Sequence, residues 1–295
     1  MRPKSVGVRM TFFCRIRGIL QHAVIAVSLG LLLVSCVGAP SPSTRLLDAQ
    51  ALAVQNGWIQ RIIPGGGFDL SVFHPSDFRP GGPLTIYIEG DGFAWQTGRT
   101  PSQDPSPINP LALKLALAHP NGNAAYLARP CQYMVGTEAK CSQRYWTFAR
   151  FAPEVVDSMN NGVSQLKATF RAQSLTLVGY SGGAAIAALI AARRDDVIEL
   201  ITVAGNLDHA AWTSYHNLLP LTGSLNAADV SAKLIGVKQR HFLGRQDSII
   251  PPVLGNLWPP ELRGAQDSNL RIIDGFDHAC CWERDWAVLV ARQKQ

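Results

Sequence analysis

The 295-residue sequence has little of what would mark several large protein classes. Charged side chains make up only 16% of it, against 47% hydrophobic residues, so a chain this apolar can bury a core and is not disordered along its length. Its apolar run Ala23 to Val34 falls short of the ~20 residues a membrane-spanning helix needs. No histidine pair stands at ligand spacing beside the cysteines, which leaves metal binding the weakest use for them. A concentrated basic face is also missing. The formal charge of +6 rests on Arg2, Lys4, Arg9, Arg15 and Arg17, and without those five the remainder holds 22 basic against 21 acidic residues. Nucleic acid is therefore not an expected partner.

What the leader does have is a basic start without acidic residues, an apolar core, and the ending Leu33-Val34-Ser35-Cys36. That is the layout of a secretory signal. The ending resembles a bacterial lipobox, in which the cysteine is lipidated and becomes the new N-terminus. The expectation is a signal peptide over 1–35 and a lipid anchor on Cys36. A tether with Pro40 and Pro42 follows within 36–56, and one globular domain spans 57–295. Val37 is not aspartate, which in enteric bacteria would free the protein for sorting to the outer membrane, facing the periplasm. Export permits disulfides. Cys131 with Cys141 closes a short loop and is the preferred pair, while Cys280 and Cys281 form an adjacent-residue bridge, stay reduced, or pair with the first two.

Leu175 to Gly183 is the informative stretch. An apolar strand runs into Gly179-Tyr180-Ser181-Gly182-Gly183, and a small-residue helix continues to Ala192. G-x-S-x-G between strand and helix is the pattern of a nucleophile elbow, a sharp turn that lifts a serine hydroxyl above a sheet. Further strands are expected at 84–88, 124–128, 197–203, up to Phe242 and at 269–273. A hairpin flanks Gly65-Gly66-Gly67, and helices are expected at 110–117, 153–170 and 281–292. Alternating strands and helices predict a mostly parallel sheet covered on both faces, with an antiparallel N-terminal edge.

A serine needs a base to take its proton, and the base needs an orienting group. Asp247 follows the strand ending near Gly244, and His278 follows the last strand, in the order Ser, acid, His. Asp247 in front of Pro251 also suits an Asx-turn, and Asp274 and Asp277 are rivals by proximity alone. Gly182 is the expected amide donor to an oxyanion, with Asp91 of Glu89-Gly90-Asp91-Gly92-Phe93 as the second. The Asp91 side chain is expected to point away, since its charge would oppose the oxyanion.

With these motifs in order, the chain from about Leu84 to its end resembles the α/β-hydrolase superfamily, among its serine esterases and lipases. The resemblance implies acyl transfer to water through an acyl-enzyme on Ser181, with a small-molecule acyl substrate and neither metal nor organic cofactor. The Glu89 loop resembles the H-G-G-G loop of lipases and esterases, with glutamate where histidine often stands. Residues 205–229 are too few for a large cap, and Trp212 and Tyr215 are candidate pocket walls, with His209 and His216 near them. Trp95, Trp146, Trp282 and Trp286 are read as structural. An acyltransferase or peptidase could use the same triad, and a hydrolase-fold binding lipoprotein without turnover is the contrasting class.

Overall fold

The computed structural model describes residues 38–134, 140–255, 258 and 268–291. The expected signal peptide and the expected lipidation of Cys36 fall outside the described residues. A boundary falls between Ala39 and Pro40, and the sheet belongs to the unit that begins at Pro40.

Eight strands form one sheet: β1 (Trp58–Pro64), β2 (Asp69–Pro75), β3 (Leu84–Ile88), β4 (Asn123–Leu127), β5 (Leu175–Tyr180), β6 (Val197–Val203), β7 (Lys238–Gly244) and β8 (Ser268–Ile273). Their order is β1-β2-β4-β3-β5-β6-β7-β8. The three-glycine segment turns β1 back on β2, with Pro64 opposite Asp69, and β2 meets β4 antiparallel. Every pairing from β4 through β3 to β8 is parallel. The expected mostly parallel sheet with an antiparallel N-terminal edge is what forms.

The central strands alternate their side chains between two cores, one on each face of the sheet. Leu84, Ile86 and Ile88 of β3 pack with Leu175 and Leu177 of β5 on one face. Tyr87 and Val178 pack on the other. Helix α1 covers Pro42–Gln55, α2 Leu111–Leu117, α3 Pro153–Phe170, α4 Gly182–Ala191, α5 His209–Tyr215, α6 Pro252–Gly255 and α7 Trp282–Val290. Residues of α3 and α4 fill the first core, and residues of α1, α2 and α7 the second. Every residue of α4 is buried, which explains its lack of a polar face.

One expectation is corrected. The prolines near residue 40 do not mark a tether reaching to residue 56, because Pro42 opens α1 behind the N-cap Ser41. Proline suits the first turn of a helix, where its missing N–H has no intrahelical acceptor to lose. Ala49 and Ala53 are buried in the second core, and Arg45 reaches the carbonyl oxygens of Asp104 and Ser106. The unit that carries the sheet thus includes a helix that its composition disguised.

Cys131 and Cys141 are bonded across a Cα separation of 5.7 Å, and Cys280 is bonded to Cys281. The chain leaves β3 for β4 on one side and leaves β4 for β5 on the other, so a crevice opens above the carboxyl ends of β3 and β5. Ligands in open α/β sheets occupy such switch points.

Candidate active site

The site is built on four strand ends. Ile88 and Gly179 are paired neighbours at the ends of β3 and β5, which sets the Glu89–Phe93 loop beside the serine turn. Ser181 takes φ 51 and ψ −121, in a region that L-residues seldom occupy. That turn is held by the Ser181 N–H on Val203 O at 2.9 Å and by the Asn206 N–H on Ser181 O at 3.0 Å. Close approach dictates the glycines around it. A Cβ on Gly179 would stand 2.6 Å from the Ala184 nitrogen, and one on Gly183 would overlap the carbonyl oxygens of Ile88 and Glu89.

Ser181, His278 and Asp247 are brought together in a line. His278 Nε2 lies 3.1 Å from Ser181 Oγ, and His278 Nδ1 lies 2.9 Å from Asp247 Oδ2. The Asp247 side chain is completely buried. Its second oxygen, Oδ1, accepts from the amides of Ile249 and Ile250 at 2.8 Å each. The Asx-turn and the partner of His278 are thus one residue in two roles: the turn aims Oδ1 inward and frees Oδ2 for the imidazole. Tyr180 packs against His278, with its ring centroid 5.3 Å from that of His278 and its hydroxyl donating to His278 O at 3.2 Å.

The rival residues are occupied elsewhere. Asp274 pairs with Arg245 at the surface, and Asp277 accepts from the amides of Cys280 and Ala279, which depress its pKa. His241 is buried against Thr202, and burial lowers its pKa to about 4.

Gly182 opens α4, where a first-turn N–H has no acceptor within the helix, and Asp91 lies directly beside it. Here the expectation for the Asp91 side chain is overturned. Its Oδ1 fills the space a Gly182 side chain would need, so the carboxylate faces the elbow instead of pointing away. Two buried arginines and a helix N-terminus make this tolerable: Arg150 Nη1 is 2.5 Å from Oδ2, and Arg129 Nη1 is 3.4 Å from Oδ1. Burial lowers the Arg129 pKa to about 10, partly offset by Asp91, so it stays cationic at neutral pH.

Glu89, in the same loop, is 1% exposed and accepts from Gly90 N at 2.9 Å and Tyr126 OH at 3.1 Å. Burial pushes its pKa up to about 7 despite these donors. Between the ordinary carboxyl value and about 7, the folded protein holds a proton that the unfolded chain has released. The resulting stability is full below the ordinary value and is lost as pH rises through about 7. Wild-type protein should therefore lose on the order of 2–3 kcal/mol more than Glu89→Gln between about pH 5 and about pH 8.5. Urea unfolding at both pH values checks this, and parallel pH profiles for the two proteins would refute it.

Above the serine lies a cavity of about 830 Å³ reaching Trp95, Phe148, Trp212, Leu218 and Leu221, with Ser181 and His278 in its wall. That volume is in the range of small-molecule sites. Trp212 lines it as expected and donates from Nε1 to Ile249 O at 2.8 Å. Tyr215 is half exposed, and neither it nor His209 nor His216 lines this cavity. Trp95, read as structural, is a wall residue, and Phe148 and Arg150 were not anticipated. No local pattern marks Arg150, since its partner Asp91 stands 59 residues away.

No protein-family model matches the sequence, and no curated protein matches it. Solved structures do resemble it in shape. An esterase of Pyrococcus furiosus superposes with a TM-score of 0.56 at 11% identity, over 86% of this chain and 93% of its own. Est1E from Butyrivibrio proteoclasticus superposes with a TM-score of 0.51 at 14% identity, over 78% of this chain and 95% of its own. The likeness at such identities is one of fold. With the eight-stranded order and its two helical layers, that fold is the α/β-hydrolase fold.

Proposed function

We propose that this α/β-hydrolase-fold chain is a serine hydrolase that cleaves acyl esters through an acyl-enzyme on Ser181. The observation that carries the reading is the line from Asp247 Oδ2 through His278 to Ser181 Oγ, with both links at hydrogen-bond length. Ser181 Oγ attacks the acyl carbon while His278 Nε2 takes its proton. Asp247 holds the Nδ1–H tautomer and stabilises the imidazolium that forms. The amides of Gly182 and Asp91 receive the oxyanion as it develops. Collapse expels the alcohol, which leaves with the proton from His278. Water then enters, gives a proton to His278 and attacks the acyl carbon. Departure of Ser181 Oγ, reprotonated by His278, releases the acid. The apolar cavity above the serine suits an acyl or alkyl chain, which favours a carboxylesterase.

Labelling by a fluorophosphonate probe tests the reading. Wild-type protein lacking the leader should be labelled and Ser181→Ala should not. Folded wild-type protein that stays unlabelled would point instead to a binding lipoprotein without turnover.

The lipid anchor is proposed on the sequence of the leader. Among the described residues no helix is long and apolar enough to cross a membrane. Cys36→Ser should therefore shift the full chain from the membrane fraction to the soluble one and remove the acyl mass from its N-terminal peptide. A variant that remains in the membrane fraction would sink the anchor.

A further inference from the structure

Arg150 is held on three sides and has one side to spare. It is 5% exposed, its Nε donates to Thr147 O at 2.7 Å, and its Nη1 donates to Asp91 at 2.5 Å. The Trp212 ring lies against the guanidinium at 6.0 Å. The remaining amino group, Nη2, meets no acceptor among the described residues, and Arg150 lines the cavity that contains Ser181 and His278. Once a substrate displaces water from the cavity, a donor left without an acceptor costs on the order of 1–3 kcal/mol, and more for a charged group. A cation so placed is pre-organised for an anionic oxygen.

The neighbouring carboxylates are engaged elsewhere. Arg129 and Arg150 share the single carboxylate of Asp91. Asp247 pairs with His278 Nδ1, and Glu89 accepts from Gly90 and Tyr126, so neither is hydrogen-bonded to Arg150. The other walls of the cavity are largely apolar, with Trp95, Phe148 and Leu218 among them. A neutral aliphatic ester would satisfy those walls and leave Nη2 bare. An amphiphile with one anionic oxygen near its ester satisfies both.

We propose that Arg150 is an anion-binding residue of the substrate pocket, so that the substrate is an acyl ester carrying a carboxylate or phosphate within a few atoms of the scissile carbonyl, received by Nη2. The proposal rests on the hydrolase reading for its meaning, but binding can be measured without turnover.

Calorimetry on the Ser181→Ala protein compares monobutyl glutarate with its uncharged primary amide, and butyryl glycerol phosphate with butyryl glycerol. At least one anion should bind about tenfold or more tighter than its neutral counterpart, and which one does so separates carboxylate from phosphate. The preference should fall with salt, approach unity when Arg150→Met is added, and survive in part with Arg150→Lys, which keeps the charge and can still pair with Asp91. Should the methionine variant fail to fold, the lysine variant and the salt series still decide. Equal affinity for charged and neutral partners overturns the proposal, as does a preference that persists without the arginine. Failure of fluorophosphonate labelling would instead overturn the hydrolase reading and leave these affinities standing.

Discussion

His278→Ala is expected to lower kcat by about a millionfold on any ester the protein turns over, and Asp247→Asn by about ten-thousandfold. The difference follows from what each atom does. Without the imidazole, no other side chain among the described residues is hydrogen-bonded to Ser181 Oγ to take its proton, since His278 Nε2 at 3.1 Å is the group that faces it. Asparagine at 247 can still accept from Ile249 and Ile250 through its carbonyl oxygen, so the turn and the fold should survive. What then faces His278 Nδ1 is an NH₂ group, which selects the tautomer with its proton on Nε2, where it blocks proton transfer from the serine. Combining the substitutions should cost little beyond the histidine change, because the three groups act as a unit. Asp274→Asn, at the surface beside Arg245, should leave kcat near wild type. Steady-state hydrolysis of a nitrophenyl ester, with thermal unfolding as the check on folding, reads all of these. An Asp247→Asn enzyme within tenfold of wild type would remove Asp247 from the mechanism.

Gly183→Ala should be a strongly destabilising single-carbon change at the elbow, by about 3 kcal/mol or more. The added Cβ would overlap two carbonyl oxygens at once, those of Ile88 and Glu89. Both belong to backbone at the end of β3, which is paired on either side with β4 and β5 and cannot step back cheaply. The strain would spread to the loop carrying Asp91, so residual activity should fall even in protein that remains folded. For a domain of this size the loss corresponds to a Tm lowered by about 6–12 °C. Gly98, around which a Cβ meets nothing, supplies the control: Gly98→Ala should leave Tm unchanged. A stable, fully active Gly183→Ala protein would mean that helix and strand are less tightly apposed than they are here.

The fold was legible because its signals are local. The apolar run into Gly179, the alanines of α4 and the glycine turn between β1 and β2 each state their own geometry. So do the serine, Asp247 and His278, which follow strands in a fixed order at the ends of β5, β7 and β8. The pocket was less legible because its walls come from segments that meet only in space. Trp95 and Phe148 face one another at 6.1 Å across 53 positions of chain, and neither belongs to a strand or helix. The direction of Asp91 is hidden from the sequence for a related reason. Its charge argues against the elbow when weighed alone, and the two arginines that tip the balance the other way are distant in sequence. The helix at Pro42 was hidden by composition, since proline before small polar residues reads equally well as linker and as first turn.

The peptide between Ile249 and Ile250 joins two parts of the molecule that could have been independent. Its N–H, on Ile250, donates to Asp247, and its carbonyl, on Ile249, accepts from Trp212 in the wall of the cavity, with His216 Nε2 also 2.9 Å away. One planar unit is therefore bonded on both sides, to the carboxylate that faces His278 and to the ring that limits the room in the cavity. A substitution at Trp212 is thus a change one peptide away from Asp247.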